Sequence, residues 1–174
     1  MFMTNGVRDY ARTAKGVLVK KNGDKDKIIK ILQGYSWTYA DKDPVALGII
    51  RDRIESAAKI RKMIFYSELV TGVVFHLPNV HEGRDYEIQT DEWQGLDRRI
   101  IGDFLGKLSG ESFVNHGFMI SAIVVGKYEN QPSEFFFNWM KEINILPDLK
   151  KHTVLKFWTD QVRKITNHYA SAAR

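Results

Sequence analysis

Apolar residues recur at helical spacing in four stretches of the chain. Between Pro44 and about Lys62, Leu47, Ile50, Ile54, Ala57 and Ala58 fall on one face. Asp43-Pro44 opens this stretch with a capping side chain and a residue suited to the first helical position. A second helix is predicted from Asp97 to near Gly110, with Ile100, Ile101, Phe104, Leu105 and Leu108 as its apolar set. Glu134 to Ile143 reads as a helix rich in Phe and Trp, and Leu149 to Tyr169 as a last one carrying Val154, Trp158, Val162, Ile165 and Tyr169.

Period-two and continuous apolar runs are fewer. Met119 to Val125 is apolar on both faces and predicts a central strand. Ile64 to Val70 predicts a short extended piece turning into a helix, with Ser67 as its cap. In the first part of the chain, about a dozen residues read as a loosely held arm. Asn22-Gly23-Asp24 then lies between apolar runs, a hairpin signal. The competing reading, a short helix from Lys25 to Leu32, is preferred because Ile28, Ile31 and Leu32 share a helical face. Gly34 to Tyr39 is a strand or an ordered loop, and Lys127 to Pro132 a turn. Residues 71–97 form a long irregular connection with six carboxylates from Glu82 to Asp97, and connections of that length usually carry function or motion. The expected fold class is α+β, a helix-rich single domain with a small sheet. Residues 1–43 would be a basic extension packed on a core of residues 44–174.

Composition narrows the chemistry. The 174 residues, 44% hydrophobic, are enough for one real core. The absence of cysteine excludes disulfides, thiolate zinc sites, iron–sulfur clusters and a cysteine nucleophile, and it fits a reducing cytoplasm. No apolar run approaches the roughly 20 residues of a membrane helix, and no leader peptide is read at the N-terminus. The net charge of +5 is uneven. Residues 1–43 hold nine Lys/Arg against five Asp/Glu, residues 44–140 ten against thirteen, and residues 141–174 seven against three. Basic ends around an acidic middle admit nucleic acid as a partner.

Side-chain constellations are sparse. His76, His81, His116, His152 and His168 show no metal-ligand spacing on a helix, so no metal and no cofactor is expected. Asp85-Tyr86-Glu87-Ile88-Gln89 is superficially like the acidic-x-Gln segment of metal-dependent nucleases, but it lacks an upstream acidic residue at a strand end. A solvated acidic loop is the preferred reading. Phe135, Phe136, Phe137, Trp139 and Trp158 could stack bases, although aromatics at helical spacing are more often core. Gly102 and Gly106 are expected to permit close helix packing. No catalytic residue is assigned.

The order of elements from residue 45 onward carries a resemblance. An amphipathic helix, Phe65-Tyr66-Ser67-Glu68-Leu69-Val70, then Arg99-Ile100-Ile101-Gly102, then Ile120 to Val125, is similar to the C-terminal domain of alkyltransferase and alkyltransferase-like DNA-repair proteins. The resemblance implies a winged-helix-like core in which Tyr66 enters the recognition helix and Arg99 intercalates beside a flipped base. It covers about half the chain. Ser121 and Ala122 stand where the family's reactive cysteine and its histidine would be, which removes alkyl transfer. About twenty more residues separate Tyr66 from Arg99 than in the family, and the glycine-rich wing is missing. Ser121 to Val125, Pro132, Phe135-Phe136, Phe157-Trp158 and Gln161-Val162 also resemble segments of small bacterial and phage proteins to which no activity is attached.

These readings lead to an expected non-enzymatic DNA-binding protein. Arg51, Arg53, Arg61 and Lys62 would meet phosphates, with Tyr66 and Arg99 near the duplex. The alternative is a regulatory module that binds a protein partner through the acidic 82–97 loop, and a third reading is a metal-dependent nuclease.

Overall fold

The computed structural model describes residues 10–12 and 18–171, and side chains from 24 to 170. The chain divides into two compact units, Met1–Tyr35 and Ser36–Arg174. In the first, β1 (Tyr10–Arg12) pairs antiparallel with β2 (Leu18–Lys20), Tyr10 opposite Lys20. Of the expected arm, residues 1–9 lie outside the described residues, while Tyr10–Arg12 are strand. α1 (Lys21–Gln33) follows, with Ile28 and Leu32 buried. The helical reading therefore holds, and Asn22-Gly23 lies inside the helix instead of forming a hairpin turn.

The second unit is built from α2 (Pro44–Lys59), β3 (Ile64–Phe65), α3 (Tyr66–Val70), β4 (Val74–Phe75), β5 (Tyr86–Glu87), α4 (Gly95–His116), β6 (Val124–Val125), α5 (Glu134–Glu142) and α6 (Lys151–Ser171). β3 and β6 pair in parallel, Ile64 opposite Val124, and β4 and β5 pair antiparallel. The fold is a helix-rich α+β arrangement with little sheet, as the sequence predicts. The stretch 34–39 is loop and turn.

Helix starts follow from carboxylates. Asp43 is buried, and its two oxygens accept from Ala46 N (3.0 Å) and His76 N (2.7 Å). One side chain thus caps α2 and fixes the entry to the β4–β5 connection. α4 begins two residues before the expected Asp97, because Asp97 sits in its first turn and accepts from Gln94 N at 2.6 Å. It also runs six residues past Gly110, and ends where Gly117 takes a left-handed φ of +77° and bonds Phe113 O. Gly106 does not admit a second helix. It admits an indole, since a Cβ there would collide with the ring of Trp37.

The core lies where α2, α4 and α6 surround residues 119–125. The expected strand over Met119–Val125 is mostly a 3-10 turn, Ile120–Ile123, and only Val124–Val125 extends. Its amides are taken by side chains: Met119 N by Gln161 Oε1 (2.8 Å), Ile120 N by Ser112 Oγ (3.0 Å) and Ser121 N by Ser109 Oγ (3.1 Å). With these donors satisfied, residues 119–121 need no neighbouring strand to be buried, and only Val124–Val125 pair with β3. Trp158, half-buried on α6, donates Nε1 to Ala122 O at 2.8 Å.

Candidate nucleic-acid interface

α2 ends in two crossed bonds, Arg61 N to Ala58 O (3.0 Å) and Lys62 N to Ala57 O (2.9 Å). This is the Schellman arrangement, and it puts Arg61 at the left-handed position usually given to glycine, φ +57°. The turn exposes Lys59, Arg61 and Lys62 together. None of the three forms an ion pair with a described residue.

Two residues on, β3 leads into α3. The expected cap, Ser67, is not used: Glu68 Oε2 accepts from Phe65 N at 3.0 Å, and Ser67 offers its carbonyl to Thr71 N and Thr71 Oγ1. The carboxylate two residues past Tyr66 reaches back where a hydroxyl one residue past it is already inside the helix. Tyr66 is half-buried at the first position of a five-residue helix, and its hydroxyl accepts from Ser133 N at 3.2 Å. Because β3 and β6 are parallel, Tyr66 and the turn that follows Val125 leave the pair at the same end. That turn is closed by Gly126 N to Gln131 O (3.0 Å) and by Asn130 in a left-handed conformation. It carries Tyr128, 87% exposed, and it leads to Phe135, 82% exposed at the start of α5. These are the two most exposed large hydrophobic side chains among the described residues. Sequence reasoning missed Tyr128, although a bulky aromatic inside a polar turn was a usable signal. Phe136 and Phe137 are core, and Trp139 meets the edge of Trp37 with ring centroids 6.1 Å apart.

Two of the expected cations are engaged inside the protein. Arg51 pairs with Glu111 of α4 at 2.6 Å. Arg53 donates Nη1 to the carbonyls of Glu68 (3.2 Å), Leu69 (2.9 Å) and Thr71 (2.8 Å), and so closes the C-terminal end of α3. Arg99 is exposed on α4. It does not pair with Asp103, whose carboxylate instead accepts from three consecutive amides, Thr38 N (3.2 Å), Tyr39 N (2.8 Å) and Ala40 N (2.8 Å). Arg61 and Lys62 lie just before β3 and Tyr66 just after it, so the two-residue strand stands between them. No described hydrogen bond or ion pair links Arg99 to them.

The 71–97 connection is more ordered than its composition suggests. His81, Glu82 and Gly83 all have positive φ, making a left-handed turn at the tip of the β4–β5 hairpin. His76 Nδ1 meets Asp85 Oδ1 at 2.7 Å, with both side chains exposed. The Tyr86 hydroxyl donates to Asp97, and burial, followed by that bond, pushes its pKa up to about 12. Asp85 and Asp97 are thereby occupied, and Glu87 points outward from β5. Among the described residues, no three His, Asp or Glu side chains converge as a metal site would require. No described helix is long and apolar enough to cross a membrane.

No protein-family model matches the chain, and no curated protein or solved structure matches it either.

Proposed function

We propose that this protein binds nucleic acid non-covalently, through a face that joins the C-terminal turn of α2 to the β3–α3 corner and the 126–135 turn. What carries the reading is the set Lys59, Arg61 and Lys62: exposed, adjacent, and without an ion pair to a described residue, while Arg51 and Arg53 are held by the protein itself. Cations left in this state neutralise phosphates and release counterions. Tyr128 and Phe135 flank the same corner and offer faces on which unpaired bases stack, each worth about 1–3 kcal/mol. Arg99 is the remaining exposed arginine of the expected set. The resemblance to alkyltransferase-like proteins assigns it to the space beside an extruded base.

Fluorescence anisotropy of a labelled duplex and a labelled single strand, between about 50 and 200 mM salt, tests this. The logarithm of affinity should fall linearly with the logarithm of salt. Arg61→Ala and Lys62→Ala should each flatten the slope by about one unit, and Arg51→Ala should leave it unchanged. Absence of binding to either probe at the lowest salt would overturn the reading. The two exposed aromatics also favour a second reading, a protein partner that takes Tyr128 and Phe135 as anchors; its affinity would be nearly flat in salt and lost in Phe135→Ala.

A further inference from the structure

The outer face of α2 is turned to solvent. At about 3.6 residues per turn, Ile49, Asp52, Ser56, Lys59 and the cap residue Ile60 fall within an arc of about 100°, and all five are exposed. Ile60 is 72% exposed, more than any other large hydrophobic side chain among the described residues except Tyr128 and Phe135. Beside this face runs a shallow groove of about 450 Å³, lined by Ile49, Asp52, Arg53, Ser56, Ile64 and Glu68.

The face divides by chemistry about Ser56. Asp52 and Lys59 lie on one flank, four residues before it and three after, and neither forms an ion pair with a described residue. Ile49, Arg53 and Ile60 lie on the other flank, which borders α3, since Arg53 gives its Nη1 to carbonyls there. A two-fold axis between antiparallel helices sets residues of the same flank opposite one another, each against the one equally far beyond the axis. With the axis at Ser56, Asp52 meets the partner's Lys59, and Lys59 meets the partner's Asp52. On the other flank the partner's Ile60 arrives between Ile49 and Arg53, over the groove. Ser56 at the axis is small enough to let the two helices approach closely.

We propose that a second copy of this chain docks on the outer face of α2, forming a two-fold dimer in which Ile60 of each copy sits in the groove of the other. The surface complements itself, because the groove and the side chain that fills it, and the carboxylate and the ammonium that answers it, all lie on one helix. Removing Ile49, Ile60 and Ile64 from water drives association. The two Asp52–Lys59 pairs at the rim set the register. An axis at Asp52 would bring two carboxylates face to face and an axis at Lys59 two ammonium groups, so both alternatives are disfavoured by charge. The pairing uses neither Arg61 nor Lys62 and does not rest on the nucleic-acid reading.

Sedimentation equilibrium of the full chain, freed of nucleic acid, between about 5 and about 500 μM tests this. The wild type should pass from monomer to dimer mass as concentration rises. Ile60→Asp should weaken the dimer at least about tenfold, while Leu155→Asp, the same kind of change at an exposed apolar position of α6, should not. Asp52→Lys and Lys59→Asp form the decisive pair. Each alone sets like charges opposite one another and should be monomeric, whereas an equimolar mixture of the two restores both ion pairs and should dimerise. Every substituted side chain is exposed, so circular dichroism should show each variant as helical as the wild type. A wild type that stays monomeric at the highest concentration, a dimer that survives Ile60→Asp, or a mixture no more associated than its two components would overturn the proposal.

Discussion

The two ends of α2 use charge in opposite ways. At the N-terminal end the carboxylate of Asp43 is buried and both its oxygens are taken by backbone amides. At the C-terminal end Lys59, Arg61 and Lys62 face solvent with no ion pair to a described residue. The difference separates charges that build the fold from charges available to an outside ligand. Exposure alone does not draw that line. Arg53, halfway along the same helix, is half-buried and gives its Nη1 to three carbonyls, although in the sequence it looks like one more basic residue.

Breaking the buried end should have the largest effect. Asp43→Ala removes a cap and leaves the amides of Ala46 and His76 without their acceptor, so urea unfolding should report a loss of about 2–3 kcal/mol. A loss under about 0.5 kcal/mol would show the carboxylate to be as idle as a surface residue. Arg53→Ala is expected to cost about 1–2 kcal/mol, because three carbonyls at the end of α3 lose a charged donor, and to leave the salt dependence of nucleic-acid binding unchanged. A flattened slope in that variant would move Arg53 to the ligand side of the comparison. Arg61→Gly should stabilise by about 0.5–1 kcal/mol by relieving a left-handed side chain while weakening nucleic-acid binding, a pairing of opposite signs that no purely structural residue gives. Lys62→Ala should change stability by less than about 0.5 kcal/mol, its effect appearing only in the salt slope.

Much of the helical framework was legible because its signals are local. Asp43-Pro44 announced α2 to the residue, and the apolar spacing of Val154, Trp158 and Ile165 announced α6. The failures share a cause: long-range side-chain bonds that spacing does not encode. Met119–Val125 has the composition of a central strand, but Ser109, Ser112 and Gln161 satisfy its amides from two helices, so a 3-10 turn is buried at no loss. Asp103, on an exposed turn of an amphipathic helix by its spacing, is claimed by the amides of Thr38 to Ala40, more than 60 positions away. At the candidate interface Arg61 and Lys62 were readable as cations. That Arg51 and Arg53 are spent was not, because their acceptors lie on α4 and α3. The left-handed turn at Arg61 leaves no mark in a sequence where no glycine follows the helix.

The carboxylate of Asp103 bonds amides 63 to 65 positions earlier in the chain. Their partners are far apart in the chain, with α2 and the β4–β5 hairpin between them, so these bonds are expected to form in the late part of folding. Interactions made after the transition state act on the rate of leaving the native state and hardly on the rate of reaching it. Asp103 is therefore a kinetic lock: Asp103→Ala should steepen the loss of native protein with time in denaturant, while refolding from the unfolded chain proceeds at nearly its original speed.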